Sequence, residues 1–451
     1  MAGVTFAVGS LGLAAARADA TGAVEWPMFQ GGPAHTGAAP EGVDPPLKPT
    51  WRYPATGGAV VSSPVVVGKM VIVETSDSVV GIDDTTGNAA WTHGRESGPV
   101  APVAFDPDAL GGLIVFSQGE VGSAGLVAAP LESLETPTSG KLSGPHPKPA
   151  GWTFTLDKPT RGGPTIVDGN VFVATDGGTV YAVDVTTGQQ VWQAKAGGAV
   201  VGAPAVSDGK VFVVAGNGKD FHDRLIAYDE TTGKQAWAYS QTIGVAAATA
   251  PSVAGGRVFV GLGDGSVRAF RAANGDPLWA QGAGSDFRAN SAPAVSGDSV
   301  YATDSGAALD RFAVDDGRRT WNFLFDQGIV VGAPLVSSSV VYVGLSDGSV
   351  AAVNVSTGNL VWRSVAGGGS VGPLAAGGDA LFAQHQGSQG SIVAFARDPQ
   401  GALTDIASPS RLDPGRALLD FLVALAIVVV FLAVFWVLET RVRRRGREVA
   451  A

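Results

Sequence analysis

The chain contains no cysteine in its 451 residues. That excludes disulfides, a thiolate-ligated zinc, thioether-linked haem and the lipid-modified cysteine of bacterial lipoproteins, so any anchor has to be made of peptide. Charge is scarce too, at 16% of residues, and the formal net charge of −10 makes nucleic acid a poor partner. The five histidines, His35, His93, His146, His222 and His385, lack the close pairing of metal ligands and read as loop or surface residues. What is abundant is glycine, 64 residues, with 27 prolines. Together with 45% apolar residues this composition excludes disorder and points to many short strands joined by tight turns.

Both ends carry membrane signals. Residues 1–20 form a small, apolar, signal-peptide-like segment ending in Arg17-Ala18-Asp19-Ala20, where Ala18 and Ala20 fit the small-x-small cleavage pattern, although no lysine or arginine precedes the apolar run. Residues 417–438 are long and apolar enough for one transmembrane helix. The tail after it, 439–451, holds Arg441, Arg443, Arg444, Arg445 and Arg447, a cluster that stays cytoplasmic and attracts anionic lipid headgroups. The expectation is a single-pass protein of the cell membrane with residues 21–396 outside and 397–416 as a stalk.

Between those ends lies a repeat. Tryptophans recur at Trp51, Trp91, Trp152, Trp192, Trp237, Trp279, Trp321 and Trp362, spaced near 42 residues except for 61 between Trp91 and Trp152. That period is one four-stranded propeller blade. Each interval repeats one order: a proline and an apolar run, a second run, a Gly/Asp turn, a third run, an Asp-x-Thr-Gly-like turn, then tryptophan. Blade-initial prolines stand at Pro64, Pro102, Pro164, Pro204, Pro251, Pro293, Pro334 and Pro373, so prolines and tryptophans agree on an all-β, eight-bladed propeller. The phase also predicts closure. The last unit lacks a tryptophan strand and the first tryptophan strand lacks a blade, so the two should complete one sheet.

Val180-Tyr181-Ala182-Val183-Asp184, Thr187-Gly188 and Val191-Trp192 resemble the pyrroloquinoline-quinone (PQQ) repeat family, as do Leu225 to Trp237 and the lead-in Trp26-Pro27-Met28-Phe29-Gln30-Gly31-Gly32. The resemblance implies that the eight tryptophans dock blade on blade. It covers both quinoprotein dehydrogenases and non-enzymatic propellers of the outer-membrane-assembly type, and the second group is the nearer likeness. A dehydrogenase would need a stacking platform, calcium, an acidic base and an electron route. The vicinal cysteine pair and haem motif of the resembling enzymes are missing, and no Asp, Glu and Asn grouping matches a calcium site. The expectation is no catalytic residue, no metal and no cofactor, with PQQ binding left as the redox alternative and a ligand-sensing ectodomain as a third reading.

Binding in propellers is done where loops depart from the repeat. Arginines interrupt otherwise small pre-proline loops at Arg161 and at Arg288, the latter followed by Asn290, and could clamp an anionic group. A charged hairpin tip brings Lys219, His222 and Arg224. The third departure is the proline-rich surplus from Pro130 to Pro149. Extracytoplasmic or envelope proteins are the expected partners.

Overall fold

The structure is a computed structural model. It describes residues 26–39, 43–55, 61–134, 151–217, 222–242, 249–262, 265–282, 291–304, 307–387 and 390–403. The chain divides into two units, Met1–Ser408 and Pro409–Ala451, and every described residue belongs to the first. The signal-like segment, the membrane helix and the arginine tail lie outside the described residues. Among those residues no helix is long and apolar enough to cross a membrane.

Eight four-stranded antiparallel sheets account for the repeat. Blade 1 spans residues 65–94, blade 2 104–155, blade 3 165–195, blade 4 199–242, blade 5 252–282, blade 6 294–324, blade 7 330–365, and blade 8 370–397 with 47–54. In seven blades the four strands follow chain order from inside to outside, blade 8 taking its outer strand from residues 47–54, and the eight inner strands touch one another in a closed ring. Second and third strands such as Asn170–Ala174 and Thr179–Asp184 are buried along nearly their whole length because both faces pack on neighbouring blades. Outer strands such as Gln190–Lys195 alternate between exposed and buried positions and bury mainly the tryptophan.

Closure happens where the phase of the repeat requires it. Leu47–Pro54 pairs antiparallel with Ser391–Arg397 over its full length, so the outer strand of blade 8 comes from the start of the propeller. The ring is thereby fastened by backbone hydrogen bonds between residues more than 300 positions apart in the chain.

Each tryptophan but one docks on the next blade. The indole N–H of Trp51 reaches Asp84 O, Trp152 reaches Val185 O, Trp192 reaches Glu230 O, Trp237 reaches Ala272 O, Trp279 reaches Val314 O and Trp321 reaches Val355 O, all within 3.0 Å. These acceptors sit in the third-to-fourth turns, Asp-x-Thr-Gly-like in sequence and each ending in a glycine that lies against the tryptophan. In blade 3 the Asp184 carboxylate accepts from Thr186 N, Thr187 N and Thr187 Oγ1, which winds the turn and delivers Gly188 at φ +69° under the Trp152 ring. A methyl group on Gly188 would stand 2.5 Å from Trp152 Cγ, so glycine is required by contact as well as by dihedral. At the closure Trp362 uses Leu47 O instead, since no third-to-fourth turn exists there.

Trp91 is the exception to the docking expectation. Its indole N–H points to Met70 Sδ of its own blade at 3.2 Å, and its ring lies over Gly81, the residue paired with it on the third strand. In six other blades the residue facing the tryptophan is alanine, and in blade 6 it is Arg311. The turn that Trp91 would have met is replaced in blade 2 by a one-turn helix, Leu131–Leu134, which begins the proline-rich surplus. Leu134 is buried in the same apolar cluster as Trp91, with Leu131 and Met70 packed against it.

The lead-in segment 26–39 crosses the channel. Backbone bonds join it to the inner strands of six blades: Trp26 with Val66, Pro27 O with Phe105, Pro33 O with Val206, Ala34 O with Val253, Thr36 O with Val295 and Gly37 O with Val336, at 2.7–3.0 Å. These partners lie toward the ends of the inner strands, so this strap runs at the face bearing the first-to-second and third-to-fourth turns, called here the turn face. The opposite face carries the connections between blades and the second-to-third turns, and is called the loop face.

Candidate functional site

Of the six loop residues singled out from the sequence, Arg161, His222 and Arg224 are described, and they lie on the loop face. Gly162-Gly163-Pro164 lies in the inner ring, where added methyl groups on the two glycines would come within 2.1 Å of Gly202 and 2.5 Å of Pro102 O. The pre-proline loops therefore border the channel, because only glycine lets neighbouring backbones approach so closely. Arg161, just before them, projects outward. Its side chain is 71% exposed and its Nε meets Asp176 Oδ2 at 3.0 Å. Such a surface pair contributes about 0–1 kcal/mol, which leaves the guanidinium readily available to another anion.

Arg224 comes to the same face from the third strand of blade 4. Its Nη1 donates to Ala196 O at 3.4 Å and lies beside Gly197, both in the connection between blades 3 and 4. His222 opens that strand, paired with Asn217 and Thr242. Lys219, Arg288 and Asn290 lie outside the described residues.

Two further charge clusters on this face were not singled out from the sequence. In blade 3 the Asp157 carboxylate accepts from Thr175 Oγ1 at 2.8 Å, from Thr179 Oγ1, and from Lys195 Nζ at 3.2 Å. Burial pushes the Asp157 carboxyl up, but its hydrogen bonds from Thr179, Thr175 and Lys195 outweigh this and hold it below its ordinary value. Blade 7 repeats the arrangement with Arg363 between Asp326, at 3.4 Å, and Asp347, and with Ser349 in the role of Thr179. The spacing that brings these groups together spans three strands, and so no short motif announces it.

The third missed group is buried. Glu74 Oε1 and Arg95 Nη2 stand 2.6 Å apart with both side chains fully covered, at the junction of blades 1 and 2. Burial raises the Glu74 carboxyl to about 8 against the pull of Arg95. Arg95 spends its remaining donors on the carbonyls of Thr75, Glu96, Gly98 and Pro99, at 2.8–3.2 Å, which fixes the connection into blade 2. This is a clamp on a loop, closed to ligands.

Two histidines correct the surface expectation. His35 is fully buried on the strap, and its Nε2 lies 3.2 Å from Thr165 Oγ1. That hydroxyl already donates to Pro204 O at 2.7 Å, so Nε2 carries the proton. Burial depresses the imidazole to about 4, opposed by the Pro251 carbonyl. His35 thus supplies the strap's link to blade 3. His385 is 2% exposed at the closure, with Nδ1 3.4 Å from Ser391 Oγ, and burial followed by the Arg52 charge lowers its pKa. Neither imidazole is placed to act on a substrate.

Among the described residues no three His, Asp or Glu side chains stand together as a cation site.

Comparison with known proteins agrees with the architecture. A family model described as outer membrane protein assembly factor BamB matches residues 48–131, 149–292 and 244–414. The assembly factor BamB of Moranella endobia is 30% identical over 213 residues, 44% of this chain and 52% of that protein. A shorter stretch of 81 residues is 38% identical to a lanthanide-dependent methanol dehydrogenase of Methylacidiphilum fumariolicum, covering 16% of this chain and 13% of that enzyme. The matched part spans about half the length of the curated assembly factors. Among solved structures, BamB from Moraxella catarrhalis superposes with a TM-score of 0.59 at 16% identity, covering 78% of this chain and 99% of that one, a likeness of fold. With its eight blades, their docking turns and a family model that runs through nearly all of them, the chain belongs to the family of outer membrane protein assembly factor BamB.

Proposed function

We propose that this protein is a non-enzymatic scaffold that holds other envelope proteins on the loop face of its propeller, outside a membrane to which residues 417–438 anchor it. Family membership is the observation that carries this reading. The geometry supports it through Arg161, which is exposed and loosely paired on the same face as Arg224, the Asp157 cluster and the Asp326–Arg363–Asp347 cluster. Exposed cations and carboxylates on a rigid ring steer and register a protein partner. In this proposal residues 1–20 direct export, 397–416 form the stalk, and the arginine tail remains cytoplasmic.

The test is photo-crosslinking in intact cells from a probe at Asp176. Adducts with envelope proteins that disappear in the Arg161→Glu, Arg288→Glu variant, at unchanged melting temperature, support the reading. Undiminished adducts remove this face from the function. Titration of the full chain with PQQ and calcium checks the non-enzymatic half, which saturable one-to-one binding would overturn. The anchor is tested by removing residues 417–451: release into the soluble fraction is expected, and retention in the membrane would contradict it.

A further inference from the structure

Departures from the repeat on the turn face converge on one blade. In six blades the inner and second strands are joined by two residues, such as Asp168-Gly169 or Gly255-Gly256, and in blade 7 by Ser337-Ser338-Ser339, whereas blade 2 uses the six residues Pro107 to Gly112 with a 3-10 turn at Ala109–Gly111. The same blade replaces its third-to-fourth turn by the helix Leu131–Leu134 and the segment after it. Insertions in a repeat protein gather on the face that binds. Directly beside this enlarged connection, between blades 2 and 3, a groove of about 620 Å³ opens along the strap.

Its chemistry is specific. The floor is Met28 of the strap, Phe105 of blade 2 and Ile166 of blade 3; the rim carries the carboxylates of Asp106, Asp108 and Asp168, and among the described residues the lining includes no lysine or arginine. Leu110, next to the lining residue Ala109, leaves 45% of its surface in water. The acidic field extends past the rim: after burial, the charges of Asp168 and Asp229 are what raise the Glu230 carboxyl on the neighbouring blade.

We propose that this groove seats an extended, cationic peptide segment of a partner protein, with one apolar side chain on the Met28–Phe105–Ile166 floor and lysine or arginine against Asp106 and Asp168. Charge decides the occupant. Anionic lipid, nucleic acid and acidic peptides are repelled by the rim, while an apolar floor gives a cationic segment something to bury. An open groove of this kind suits an extended chain better than a compact ligand. The site is on the face opposite Arg161 and stands or falls separately from the loop-face proposal.

The experiment uses the full chain in detergent and fluorescein-labelled octapeptides read by anisotropy. Three probes are compared: alternating lysine and leucine, alternating lysine and serine, and alternating glutamate and leucine. The first should bind saturably, weakening as salt rises; the second should bind about tenfold more weakly for want of an apolar contact, and the third not at all. The Asp106→Asn, Asp168→Asn variant should lose about tenfold in affinity for the lysine–leucine probe. Asparagine keeps the Asp106 acceptor that caps Asp108 N and Ala109 N and tolerates the left-handed φ of 48° at residue 168, so the fold is preserved. Arg161→Glu should leave this binding unchanged. Equal binding by the variant and the parent, or equal binding of the lysine–serine and lysine–leucine probes, overturns the proposal.

Discussion

Between blades 2 and 3, Trp152 leans forward onto Gly188 of the next blade and gives its N–H to Val185 O. Between blades 1 and 2, Trp91 leans back onto Gly81 of its own blade and gives its N–H to a methionine sulfur. The first joint is shared by six of the eight and depends on a glycine-ended third-to-fourth turn being present to receive the indole. The second has dispensed with that turn, because Leu131 and Leu134 cover the tryptophan instead. The physical lesson is that a docking residue can be kept while its docking surface changes, provided another apolar group closes the gap. Once the turn no longer has to fit under an indole, the third-to-fourth connection of blade 2 is free to grow, and that is the blade that borders the groove.

The comparison can be broken or sharpened by measurement. The largest effect is expected at the other irregular joint: deleting residues 45–55 removes the outer strand of blade 8 and the acceptor of Trp362, and should abolish cooperative unfolding. A normal calorimetric transition would show that closure is dispensable. Gly188→Ala comes next, with a loss of about 3 kcal/mol in urea unfolding, since the methyl both clashes with Trp152 and sits at positive φ. Gly169→Ala shares the positive φ without any contact within 4 Å, and should cost only about 1 kcal/mol. Similar losses in the two variants would mean that dihedral strain, rather than docking, explains the turn glycines.

Beneath regular and irregular joints alike runs the strap, and its histidine makes a pH prediction. The native His35 pKa of about 4 lies below the ordinary 6.5, so the unfolded chain binds the extra proton first. Stability from this group is present above pH 6.5 and is lost as pH falls toward 4, by about 3 kcal/mol at most. Glu74 runs the other way, being raised in the native state, so its contribution fades as pH climbs from 4.5 toward 8. The difference between the parent and His35→Gln in unfolding free energy at pH 7 and pH 4.5 isolates the histidine; identical slopes would rule out its titration. The smallest effect separates the two kinds of tryptophan. Trp91→Phe forfeits only a contact to sulfur and should cost less in hydrogen bonding than Trp152→Phe, which leaves Val185 O buried and unpaired at about 1–3 kcal/mol. Equal costs would erase the distinction between the joints.

One charged position of the loop face, Arg161, stood out in the sequence. The pre-proline loops containing Arg161 stood out because arginine interrupts a run of small residues, and those loops do border the channel. Asp157, Lys195, Asp326 and Arg363 did not stand out, since each belongs to an ordinary turn or strand end and acquires meaning only beside partners 16 to 38 residues away.

The sequence by itself determined the number of blades, their phase and the closing strand, because these follow from short, periodic signals: alternating β-branched runs, turn glycines and one aromatic per repeat. Only the tertiary structure decided that His35 is buried against Thr165 of blade 3, that Glu74 meets Arg95, that Trp91 turns back, and that Met28, Phe105 and Ile166 share one floor. Those outcomes depend on a non-repeating strap meeting seven blades and on the meeting of neighbouring blades, contacts for which the linear pattern carries no period.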